Sequence, residues 1–244
     1  MKFKFKKELE SDLLLELPFT EHVEELRQRS SHIFVLIIVS AIIAFLNVKD
    51  IVQILELPVT SIKFFQLAPG EYFISTVKIA FYSGFLVTSP FLLTQLTIYI
   101  IPGLNKGEKS LILPLLLGST LLFFFSLIFS YFILIPAALN FFISYGESVI
   151  EPLWSFNQYF DFVAVLIFAS GIAFQIPVIQ VVLGLFGVVS GQTMLSSWKY
   201  IVVLSTILAA VITPSTDPLT QIIMTIALLT LYLGGAGVVI LLKK

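Results

Sequence analysis

The sequence predicts an all-α integral membrane protein with six transmembrane helices, and three observations carry that prediction. Hydrophobic residues make up 58% of the 244 positions and charged residues only 12%, about half the charge of an ordinary soluble domain. Six long apolar stretches divide the chain, on the scale of the ~20 residues a helix needs to cross a bilayer. Lysine and arginine gather on one side of the alternating connections, as orientation in a membrane requires.

The first span is expected from Ser31 to Val48 and the second from Tyr72 to Ile101, interrupted by Pro90. The third runs from Leu111 to Ile135 and the fourth from Phe160 to Leu185, with Pro177 inside it. The fifth covers Leu195 to Ile212 and the sixth Leu219 to Leu242, joined by TPSTDP as a tight hairpin. Residues 1–30 form a tail and helix start outside the membrane, and residues 31–242 the six-helix domain. MKFKFKKELESDLLLELP is basic and then acidic, which is not the pattern of a cleavable signal peptide.

With both termini inside, the inner segments carry eleven of the fourteen cations: Lys2, Lys4, Lys6, Lys7, Arg27, Arg29, Lys106, Lys109, Lys199, Lys243 and Lys244. The outer loops carry Lys49 and Lys63, while Lys78 lies near the outer end of the second span, where its stem can snorkel. The bias sets the orientation N-in and C-in. The outer segment 140–161 holds Glu147, Glu151 and Asp161 and no cation.

Composition removes several function classes. Cysteine is absent, so there are no disulfides, thiolate metal sites or cysteine nucleophile. His22 and His32 lie at or before the start of the first apolar run, leaving no imidazole inside a span for haem or metal. No cofactor, metal site or nucleic-acid-binding motif is expected. Nothing resembles a phosphate-binding loop, and no His or carboxylate cluster converges, so an enzyme is not expected. A small-molecule secondary transporter is the alternative reading. It calls for paired ionisable groups near mid-bilayer, and the span interiors hold essentially none.

The charge instead concentrates in FTEHVEELRQRS, residues 19–30, which contains the only two arginines, Arg27 and Arg29. Thr20 is placed to cap a helix, Glu21, Glu24 and Glu25 fill its first turns, and Glu25 and Arg29 are spaced for a helical ion pair. Glu108, in the inner loop IIPGLNKGEKS, is a second carboxylate at the same membrane face. If helix packing brings Glu25 and Glu108 together, the pair can receive two guanidinium forks, which match carboxylates better than ammonium groups do. Two such contacts contribute roughly 3–6 kcal/mol, short of the ~8 kcal/mol of micromolar binding. The ligand therefore also needs an apolar segment.

HVEELRQR at 22–29, SPFLLTQ at 89–95, IPGLNKGEK at 101–109, FSYFILIP at 129–136 and TPSTDPLTQ at 213–221 occur in order. Together they resemble the TatC family, the polytopic subunit of the twin-arginine protein translocase, in its cyanobacterial and plastid branch. The resemblance implies a receptor and core subunit recognising Arg-Arg signal peptides of folded proteins. Export would be driven by the proton motive force across a plastid thylakoid membrane, or a bacterial or cyanobacterial membrane. It implies an oligomeric complex in the lipid bilayer with single-span partners of the TatA and TatB type. Glu25, Arg27, Pro90, Tyr99 and Glu108 fall on the family's signal-peptide-binding positions. Bacterial relatives often carry a glutamate in the fourth span where Gln175 stands here. Two readings of Gln175 are open: it satisfies the backbone carbonyl that Pro177 frees nearby, or it contacts a partner's single-span helix. Thr213, Asp217 and Gln221 read as turn and cap chemistry. Prolines 90, 114, 136 and 177 are expected to kink the spans, enclosing a concave, glove-like surface.

Overall fold

A computed structural model describes residues 19–59, 64–100, 108–146, 153–213 and 217–242. Helix α1 covers Phe19–Leu46 and runs unbroken through the expected boundary at residue 30. It has begun one residue before Thr20, the expected cap, whose side chain lies outside the described residues. Asn47 separates it from α2, Val48–Glu56, an amphipathic helix the sequence reading left as loop. Helix α3 is Glu71–Ile100, α4 Ile112–Phe129 and α5 Ile135–Gly146. A π turn at Ser130–Leu134 joins α4 to α5. Helix α6 is Phe156–Ala173, α7 Ile176–Leu185, α8 Gly191–Ser196, α9 Trp198–Ile212 and α10 Pro218–Leu241. Two-residue strands, β1 (Phe64–Phe65) and β2 (Trp154–Ser155), pair in parallel. By the lysine and arginine bias, the end where α1 begins is the inner end and the end where α3 begins is the outer one.

Five helices are long and apolar enough to cross a membrane, and α9 is a shorter apolar helix of 15 residues. The sequence placed these six. The third span is the largest departure: it continues to Gly146 as one 35-residue helix rather than ending near Ile135. Pro136 has no N–H and crowds the carbonyl four residues back. The π turn absorbs the defect, with the Ile135 N–H bonding the Ser130 carbonyl five residues back.

The other prolines are accommodated in three different ways. Pro114 sits in the first turn of α4, where its missing N–H costs no helical bond. Pro177 occupies the first turn of α7, after the chain has paused at Phe174 and Gln175. Pro90 lies inside α3 and deprives the Leu86 carbonyl of its donor. The Ser89 hydroxyl repairs this by donating to that carbonyl at 2.8 Å.

Helices α1 and α3 pack closely. A Cβ on Gly84 would lie 2.5 Å from the Ala41 backbone nitrogen, so only glycine permits this approach. Thr88 and Ser40 share a hydroxyl contact of 3.3 Å along the same seam. One apolar cluster joins Ile79, Ile135, Leu139, Tyr159 and Val163, and a second joins Leu134, Ala173, Ala209, Met224 and Leu228. The third span therefore belongs to both. Large apolar side chains such as Leu46, Leu121 and Val211 are exposed, as a hydrocarbon solvent demands.

The final hairpin is held by caps. The Asp217 carboxylate accepts from the Thr220 N–H at 2.7 Å and from the Thr220 hydroxyl at 2.5 Å, and Thr213 donates to the Ala209 carbonyl at 2.9 Å. Helix α10 presses on α7 at Gly235, where a Cβ would stand 2.1 Å from Gln180 Oε1.

Candidate functional site

The site lies at the inner ends of α1 and α3. Arg29 Nε and Nη2 both donate to Glu25 Oε1, at 2.9 and 2.5 Å, and Arg29 Nη1 donates to Gln95 Oε1 at 2.5 Å. One guanidinium thus fixes a carboxylate on α1 and ties it to α3. The spacing predicted the Glu25–Arg29 pair. Gln95, the last residue of SPFLLTQ, was missed because its partner is 66 positions away. Gln95 and Tyr99 are four apart on α3 and share a face, so the tie brings Glu25 beside the half-buried Tyr99.

Arg27 behaves differently. Its Nε and Nη2 donate to the two oxygens of Glu24, at 2.9 and 2.6 Å, and its side chain is 76% exposed. Arg29, not Arg27, is the arginine that orients Glu25. Such exposed pairs contribute little stability, but each carboxylate is held in a defined place. Pro90, half-buried, stands one helical turn and more before Gln95, with Ser89 repairing the backbone there. Glu108 opens a 3₁₀ turn, Glu108–Leu111, that leads into α4. Its side chain, and with it any meeting with Glu25, lies outside the described residues.

Gln175 occupies the break between α6 and α7 and is half-buried. Its Oε1 accepts from the Ser119 hydroxyl at 2.8 Å, and its Nε2 donates to the Ser119 carbonyl at 3.3 Å. The local-backbone reading is therefore corrected. A neutral amide in hydrocarbon takes the best-oriented partner, and α4 supplies one that sequence proximity does not reveal.

A second polar constellation joins α3 to α6 near the outer end. Lys78 Nζ donates to both Asp161 oxygens, at 3.0 and 2.8 Å, and to Asn157 Oδ1 at 3.0 Å. Ser75 donates to the same Asn157 oxygen at 3.0 Å, and Ser155 donates to Glu71 at 2.6 Å. Lys78 was expected to snorkel alone; instead it is bonded across the bundle. Among the described residues no group of three or more His, Asp or Glu could hold a metal ion.

This fold and its two polar ends define a polytopic helical membrane protein organised around the inner ends of its first spans. Residues 21–226 match the family model described as Sec-independent protein translocase protein (TatC), and the chain belongs to that family. The TatC-like protein ycf43 of Trieres chinensis is 56% identical over 236 residues, covering 97% of this chain and 90% of its own. The Sec-independent protein translocase protein TatC of Synechocystis is 49% identical, covering 94% and 91%. The chloroplastic TATC of Pisum sativum is 51% identical, covering 92% of this chain and 64% of its own. A crystal structure of the twin arginine translocase receptor TatC superposes with a TM-score of 0.78 at 34% identity, covering 91% of this chain and all of that one. The protein is thus a multi-pass component of a Tat protein translocase in a thylakoid or plasma membrane, and its family is not one of enzymes.

Proposed function

We propose that this chain is the receptor and core subunit of its translocase, binding Arg-Arg signal peptides of folded proteins at the inner ends of α1 and α3. The observation that carries the reading is the Arg29 bridge, which holds Glu25 rigidly against the Gln95–Tyr99 face of α3. A preset carboxylate costs the ligand less ordering than a mobile one. Glu25 and Glu108 are assigned to the two guanidiniums. Arg27 holds the neighbouring Glu24, and Pro90 and Tyr99 shape the apolar border where the hydrophobic part of the peptide enters. Gln175 spends one of its two amide protons on Ser119, and the other is assigned to a single-span partner helix of the TatA or TatB type. The proton motive force supplies the energy.

The test is photo-crosslinking of twin-arginine and twin-lysine signal peptides to the protein in native membranes, repeated with Glu25→Gln and Glu108→Gln. The expected result is a strong preference for the Arg-Arg peptide that each substitution weakens. Equal crosslinking of both peptides, or indifference to both substitutions, would overturn the assignment.

A further inference from the structure

The structure contains a groove of about 560 Å³ between the outer end of α5 and the start of α6. Its size falls in the range of small-molecule sites, roughly 300–1,000 Å³. Phe142, Tyr145, Trp154 and Tyr159 give it aromatic walls, and Ser155 and Gln158 add polar groups. Tyr145 is 82% exposed.

Helix length sets its depth. The 35-residue third span is about 52 Å long and the 30-residue fourth span about 45 Å, against ~40–45 Å for a bilayer with its headgroups. Their outer ends therefore reach the headgroup layer, the level that tryptophan and tyrosine favour.

Charge narrows the occupant. The lining holds no charged side chain, and segment 140–161 carries three carboxylates and no Lys or Arg. Lys78, on the neighbouring span, is bonded to Asp161 and Asn157. A phosphate would find an acidic surround and no cation in the lining. A sugar fits better, because its C–H face lies on aromatic rings while its hydroxyls bond amide and hydroxyl groups. Gln158 is exposed and supplies both a donor and an acceptor.

We propose that this groove binds a membrane lipid with an uncharged, hydroxyl-rich sugar headgroup, in preference to phospholipids. The chain's two tryptophans, Trp154 and Trp198, allow a direct test. In Trp198→Phe protein, Trp154 is the only indole. The protein is reconstituted in phosphatidylcholine vesicles, and Trp154 emission is quenched with equal mole fractions of acyl-brominated monogalactosyl diacylglycerol, phosphatidylglycerol or phosphatidylcholine. The galactolipid is expected to act with an apparent affinity about two- to tenfold higher, the effect of one net hydrogen bond. Gln158→Ala should abolish the preference and Tyr145→Ala should weaken it. Trp198 in Trp154→Phe protein should show none. Equal quenching by all three lipids, stronger quenching by phosphatidylglycerol, or a preference that survives Gln158→Ala would overturn the proposal.

Discussion

The two ends of helix α3 are polar in different ways. At the outer end Lys78 reaches Asp161 and Asn157, residues 83 and 79 positions away, and neighbouring Ser75 and Glu71 reach Asn157 and Ser155. These groups staple the second span to the fourth. At the inner end the ion pairs are local, Arg27 with Glu24 and Arg29 with Glu25, and Arg29 crosses to α3 only through Gln95. The outer polar groups are committed to holding helices together. The inner ones are arranged on a surface, at little energetic cost to the fold. A membrane protein can thus separate the charge that stabilises it from the charge with which it meets a ligand.

The sharpest way to break this contrast is Lys78→Ala, which leaves Asp161 with no cation in the bilayer. It should cost about 1–3 kcal/mol, read as a lowered melting temperature in detergent micelles. Asp161→Ala should cost a similar amount and the double variant less than the sum. A simple sum would mean that the staple does not couple the helices.

Ser89→Ala tests the seam between the two ends. It strands the Leu86 carbonyl opposite Pro90 and should cost about 1 kcal/mol. An unchanged unfolding midpoint would show that another group serves that carbonyl.

At the inner end Arg29→Lys should shift stability by less than about 1 kcal/mol. It removes the fork that reaches Glu25 and Gln95 together, so signal-peptide crosslinking should fall while the melting temperature barely moves. A large loss of stability would place this end in the same structural role as the outer one.

The smallest effect concerns Glu56, which ends α2 and whose carboxyl is raised by burial above its ordinary range. Folding therefore favours its protonated form. The associated stability is full below the unfolded pKa and is lost as pH rises through the raised folded value. Glu56→Gln should melt slightly higher than the native chain at about pH 8, with the gap closing toward about pH 4. A gap independent of pH would assign the effect to packing.

The spans were legible because a bilayer forces long apolar runs and lysine and arginine mark their inner ends. The Glu25–Arg29 pair was legible because a helix brings residues four apart together. What stayed hidden depends on contacts across the bundle. Gln95 reveals its role only when α1 and α3 are packed, and Gln175 finds Ser119 on another span. The third span was cut short because Pro136 reads as a stop, and the π turn that carries the helix past it leaves no simple mark in FSYFILIP.

That turn has a consequence for the groove beyond it. Successive residues of an α-helix advance by about 100° around the axis, and a π turn slips one extra residue into the count. The outer half of the third span is therefore out of phase with its inner half. Phe142 and Tyr145 look toward α6 because of that offset. Deleting a single residue within Ser130–Leu134 would restore the regular winding and turn the aromatic wall away, leaving each side chain intact and the groove without one side.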